Sequence, residues 1–195
     1  MRKYILIFAI LCLFLHTGAV ECAAYLSEQE KQALMEEIVE YNEDIKLDPN
    51  DGEAYFFRGD TYKKLGRKEM ALSDMKRAEP LISKELSNNK SLSFYKRGLY
   101  YSYLGEINEK YLNNLRGALD CYSESYKMYS KAIEERQISD FYYGRALICM
   151  NIRNLLDDSN IELRQKLEMA YNSDLKIATS LGENQSFEYR KQFLK

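Results

Sequence analysis

The chain is poor in several residues that carry chemistry or break up a fold. It has one histidine, four cysteines, two prolines, nine glycines and no tryptophan in 195 residues. So little proline and glycine excludes collagen-like, elastic and low-complexity material. Lys+Arg 28 against Asp+Glu 30 leaves a net charge of -2. With no basic excess, nothing holds nucleic-acid phosphates, so no nucleic-acid partner is expected. The chain has no Gly-rich phosphate loop after a strand and no paired cysteines at metal-ligand spacing, so neither a cofactor nor a metal is expected. What it has in quantity is hydrophobic residues, 46% of the total, and 17 tyrosines. That is enough apolar surface for one globular unit that folds without staples.

The only long apolar run is Tyr4 to Leu15, which follows Met1-Arg2-Lys3 and is too short for a permanent membrane span. With the small residues Gly18, Ala19, Cys22, Ala23 and Ala24 behind it, residues 1–24 read as a secretory signal cut after Ala24. The protein is then exported, to a periplasm or the medium, with no membrane insertion after cleavage. Two alternatives stand beside this. Cys22 could carry lipid, although Glu21 is a poor lipobox neighbour, or the run could be a buried helix of the fold. Cleavage would remove His16, the sole histidine, and with it imidazole-based acid, base, nucleophile and metal chemistry. Cys121 and Cys149 remain. An oxidising compartment permits a disulfide between them, and the alternative is two buried thiols acting as small hydrophobes.

From Ser27 onward, apolar residues recur at three- and four-residue spacing, as in Leu34, Ile38, Tyr41 and Ile45, which predicts an all-α fold. Ser27-Glu28-Gln29-Glu30 fits a capping box, and Asp48-Pro49-Asn50-Asp51-Gly52 ends the first helix. Sliding the chain against itself aligns Tyr55–Gly66 with Phe94–Gly105, sharing Arg, Gly, Tyr, Leu and Gly, and a degenerate third copy starts at Tyr142. Each copy is followed by a helical pattern built around small residues, so the unit is a repeated helix hairpin. Two helices approach closely only where one lacks a bulky side chain. Gly59 and Gly98 should therefore pack against the rows Ala71 and Ala78, or Ala118 and Ser125, with Ala146 and Ala178 equivalent in the third copy.

This pattern resembles the tetratricopeptide repeat, whose aromatic, small-residue and tyrosine positions recur about every 34 residues. Tyr55, Gly59, Tyr62, Leu65, Gly66, Ala71, Met75 and Ala78 hold the family's spacing in the first copy. The resemblance implies a right-handed α-α superhelix, a helical-hairpin solenoid over residues 25–195. Its hairpins lie at about 53–79, 92–130 and 140–181, with flanking helices at 27–47 and 186–194. Arg58, Arg97 and Arg145 stand where most members have leucine and look like the variant that pairs with an aspartate on the second helix. Asp74 and Asp174 occupy that place, whereas Arg97 would need Asp120. Solvent-facing arginines without partners are the alternative.

The family's inward-facing positions carry over to Phe56, Asp60, Lys63 and Lys64, then Tyr95, Leu99, Ser102 and Tyr103, then Tyr143, Leu147, Met150 and Asn151. Such a wall implies a groove for an extended peptide or helix of another protein, with tyrosines giving direction. Against it stands the reading of these aromatics as core. The lysine and asparagine set that clamps an acidic chain terminus is missing, since Asp60 and Leu99 occupy its places. Adjacent carboxylates such as Glu36-Glu37, Glu134-Glu135 and Asp157-Asp158 belong to solvated helix faces. Asp157-Asp158-Ser159-Asn160 reads as a helix start capped by Ser159. The expectation is a non-catalytic interaction scaffold of unspecified oligomeric state. Its rivals are a self-associating structural subunit of an envelope assembly and a carboxylate-based glycan or cell-wall hydrolase. The hydrolase predicts two acids facing one another across a polar cleft.

Overall fold

The computed structural model describes residues 26 to 193, in side-chain detail through Gly182; the expected leader, with His16 and Cys22, lies outside the described residues. Among those described there are seven α-helices and no strand: α1 (Glu28–Leu47), α2 (Gly52–Lys64), α3 (Lys68–Asn88), α4 (Phe94–Lys110), α5 (Leu115–Glu135), α6 (Ser139–Leu155) and α7 (Ile161–Phe193). None of the described helices is long and apolar enough to cross a membrane.

Local chemistry sets the helix starts. Ser27 Oγ accepts from the Glu30 amide at 3.2 Å while the Glu30 carboxylate accepts from the Ser27 amide at 2.8 Å, a closed capping box at the head of α1. Asp51 Oδ1 accepts from the amides of Glu53 and Ala54 at 2.9 and 3.0 Å and opens α2. Ser93 and Asn114 do the same for α4 and α5 through Lys96 and Gly117. Between α2 and α3 the chain reverses in three residues, with Gly66 at φ 74°, a backbone that glycine adopts without a Cβ penalty.

The chain divides into compact units at Glu36 and Glu37. Described residues of the first unit are the opening turns of α1 with their capping box. In the second unit the closest helix partners are α2 with α3, α4 with α5 and α6 with α7, and α5 also packs on α6. Three apolar clusters hold it. The first joins Met75, Ala78, Ile82 and Leu86 of α3 to Phe56, Tyr100, Leu104 and Ile107. A second gathers Ala118, Tyr122, Tyr129 and Ile148, and a third Ile38, Tyr62 and Ala71.

Three boundaries differ from the sequence reading, each for a packing reason. The first hairpin does not stop at 79, because α3 runs through Pro80 to Asn88. Proline in a helix costs about 3 kcal/mol. Here the buried row Ala71, Met75, Ala78, Ile82 and Leu86 continues past it at helical spacing, and that burial offsets the lost backbone bond. α5 extends to Glu135 instead of 130, carrying buried Ala132 into the core. Residues 186–193 are no separate helix, since α7 continues unbroken to Phe193. The weakest helix former near the expected break, Gly182, costs only about 1 kcal/mol and does not interrupt it.

The small residues lie at helix contacts. Ala71, Ala78, Ala118, Ala146 and Ala178 are all buried, as are Gly59 and Gly98. A Cβ on Gly59 would stand 3.3 Å from the Ala71 carbonyl and 3.0 Å from the Met75 methyl. Gly98 faces the Tyr129 ring at 3.3 Å, and its carbonyl accepts from Ser125 Oγ at 2.7 Å. Of the expected partners Ala118 and Ser125, Ser125 touches Gly98 directly, while the atoms nearest an added Cβ belong to the Tyr129 ring. Two closer notches are Gly105, where an added Cβ would lie 2.5 Å from Tyr122 Cδ1, and Gly144, the same distance from Tyr129 Cζ.

Candidate functional site

Charged anchors tie the helix pairs that carry the candidate face. Arg58 donates through Nε and Nη2 to the two Asp74 oxygens, both at 2.7 Å, and through Nη1 to Asn42 at 2.7 Å. Its guanidinium also lies 5.3 Å from the Tyr55 ring centre and 5.9 Å from that of Tyr62. Arg145 repeats this design with Asp174 at 2.7 and 2.8 Å, Ser130 at 3.1 Å, and the rings of Tyr126 and Tyr142. Hydrogen bonds to Asp74 and Asp174 hold both guanidiniums more firmly charged than usual. A bidentate fork fixes the angle between two helices more than it adds stability.

Arg97 does not reach Asp120. It donates to the backbone carbonyls of Leu86, Asn89 and Leu92 at 3.3, 2.9 and 3.3 Å. Leu86 lies in the last turn of α3 and Asn89 and Leu92 in the connector to α4, so the arginine supplies donors to carbonyls past the reach of the helix's own amides.

The first helices of the three pairs meet through aromatic rings. Tyr103 of α4 stacks on Phe56 of α2, with centroids 4.4 Å apart, and meets Phe57 edge-on at 5.5 Å. Tyr41 of α1 stacks on Phe57 at 6.0 Å. Farther along, Tyr95 of α4 lies against Phe141 of α6 at 4.8 Å and against Tyr129 at 6.0 Å. Burial raises the Tyr103 and Tyr95 phenols above their ordinary pKa, and Asp140 adds to the effect on Tyr95.

The twelve expected groove residues divide by burial. Phe56 is a correction: it is a core residue, because the Tyr103 ring lies across it. Leu99 and Tyr103 are half-buried and packed on core clusters, and Tyr95, Leu147 and Met150 are also half-buried. Asp60 is held by Lys64 at 2.9 Å, and Lys63 lies 5.6 Å over the Tyr111 ring. Tyr143, 52% exposed, is the most open ring of the set. Ser102 and Asn151 are half-buried. Tyr41, Phe57, Phe141 and Asp140 were missed. Phe57 sits beside the carried-over Phe56 and Phe141 two residues before Tyr143, each in a run of aromatics, and a helical rotation of one or two residues decides which ring faces outward.

A cavity of about 370 Å³ lies between the start of α2, the second half of α3, and α4, lined by Asp48, Asp51, Glu53, Glu85 and Tyr100 among others. It is the polar, acidic cleft that the hydrolase alternative requires, yet each carboxylate has a structural partner. Asp48 accepts from the Asn50 amide, Asp51 caps α2, and Glu85 accepts from Asn89 Nδ2. Glu53 pairs with Lys96 and accepts from Tyr100 Oη at 3.2 Å.

Between α6 and α7, Asp157 gathers the Ser159 amide and hydroxyl and the Asn160 amide group, which hold its carboxyl below the usual range. The aspartate organises this turn, where Ser159 had been expected to cap. Cys121 and Cys149 are free thiols, so the permitted disulfide is not formed. Cys121 is half-buried against the first cluster and Cys149 is buried. Burial pushes the Cys149 thiol up to about 11, with Asp174 adding to the effect.

Comparison with known proteins returned no match: no family model, no curated protein and no solved structure matches the chain.

Proposed function

We propose that this protein is an exported, non-catalytic scaffold of tetratricopeptide type that docks a peptide or helix of another protein. In this reading the helix pairs stack as a right-handed superhelix whose first helices form the receiving wall. The observation that carries it is the set of rings linking α1 to α2, α2 to α4 and α4 to α6, with Tyr143 open on α6. Aromatic side chains supply large contact area at low entropic cost, and tyrosine hydroxyls add direction. The two Arg–Asp forks support it by holding the pairs at a set angle.

Affinity capture from the native envelope fraction tests the proposal. The protein should retain a partner that a Tyr95→Ala/Tyr143→Ala variant of unchanged helicity releases. Equal capture by both would place the docking face elsewhere.

A further inference from the structure

α1 is held more lightly than α2 to α6. Of its residues only Ile38 is buried, against Tyr62 and Ala71, whereas α2 to α6 each bury four or more. Its last three turns also repel themselves. Glu40 has Glu37, Glu43 and Asp44 at three- and four-residue spacing, and Glu43 and Asp44 stand near the negative end of the helix dipole. Lys46 is the one base between residues 37 and 47.

The groups that α1 touches on α2 keep a partner when it leaves. Arg58 donates to Asn42 through Nη1 but holds both Asp74 oxygens through Nε and Nη2. Thr61 Oγ1 lies 3.1 Å from Glu37 Oε2 and shares its one hydrogen with the Phe57 carbonyl at 3.0 Å. Phe57, stacked on Tyr41, also meets Phe56 and Tyr103 edge-on. Lifting α1 therefore leaves neither Arg58 nor Thr61 without an acceptor, and the surface it uncovers is aromatic.

We infer that residues 37–47 form an autoinhibitory strap, which lifts from α2 while the later helices stay folded and uncovers Phe57 and Tyr62 as an extension of the docking face. The inhibitory role rests on the docking reading; the lifting does not. With Tyr41 down on Phe57, a docked segment must wait for the open form or displace the strap, so its apparent affinity is reduced by the fraction of molecules that are open.

Amide hydrogen exchange of the whole protein, followed at urea concentrations below the unfolding transition, tests the lifting. Residues 37–47 should exchange at least about tenfold faster than the slowest amides of α4 and α5, with little dependence on urea, and Ile38→Ala should speed them together. Exchange at the rate and urea slope of α4 and α5, or no response to Ile38→Ala, would overturn the strap. Short random peptides displayed on phage and selected on the Ile38→Ala variant test the inhibition. Those that need Tyr95 and Tyr143 should bind the variant about tenfold more tightly than the wild-type chain and lose that gain in Ile38→Ala/Phe57→Ala. Equal affinity for variant and wild type would overturn the inhibitory role and leave the docking face standing. Recovery of no peptide that needs either tyrosine would remove the docking face and the inhibition together, while exchange still decides whether α1 lifts.

Discussion

Gly105→Ala offers a sharp test of how the middle helix pair is packed. The new methyl would stand 2.5 Å from Tyr122 Cδ1 and 3.0 Å from its Cζ, where carbon atoms prefer about 3.5–4.0 Å. Tyr122 is fully buried, and its hydroxyl donates to Glu109 at 2.7 Å, so the ring cannot swing aside without breaking that bond. Overpacking costs about 1–3 kcal/mol, and an approach of 2.5 Å to a ring that cannot move places it at about 2–3 kcal/mol here. Alanine's better helix propensity returns about 1 kcal/mol, leaving a net loss of about 1–2 kcal/mol. For a chain of this size that is a fall in Tm of about 2–8 °C. Urea denaturation followed by circular dichroism gives the free energy directly, and repeating the substitution in a Tyr122→Leu background should shrink the penalty. A neutral or stabilising Gly105→Ala, or the same penalty without the ring, would refute the notch.

Other consequences follow from the same contacts. Asp74→Asn strips the charge from a mostly buried pair and should cost about 2–3 kcal/mol after discounting Arg58's residual exposure; Arg58→Met with Asp74→Leu should recover most of it, measured by denaturant midpoint. The phenols of Tyr100, Tyr122 and Tyr129 are buried and raised, so they stay neutral in the folded state while the unfolded chain ionises near pH 10. Stability is therefore full below about pH 10 and lost as pH rises, by about 4 kcal/mol at pH 11 for the three together, and the tyrosinate absorbance of these three should appear together with loss of helicity. Full ionisation of the tyrosines ahead of unfolding would contradict their burial. In the native protein Cys149 should resist a thiol reagent at pH 8 and react only on unfolding, which timed mass analysis will show.

Much of the architecture was legible because helical periodicity and capping are local. Ser27 with Glu30, Asp51 ahead of α2 and the glycine at position 66 each act within a few residues, so their roles follow from neighbours along the chain. The Arg58–Asp74 and Arg145–Asp174 forks were legible for a different reason: the repeat places equivalent residues at equivalent positions, and two copies keep both partners. Arg97 was not, since its acceptors are backbone carbonyls at the end of α3 and in the connector to α4, which no repeat position marks. Phe56 and Phe57 show the same limit at the candidate face, where adjacent rings of one type differ in exposure only through what α4 lays across them.

The amino-acid sequence alone determined the helical class, the pairing of helices into hairpins and the small-residue contacts, all of which depend on spacing along one chain. Tertiary structure decided where α3 and α5 end, which aromatic rings remain open, and which carboxylates are left without a partner. Burial and pairing are properties of side chains brought together from distant segments, and no periodicity within a segment records them.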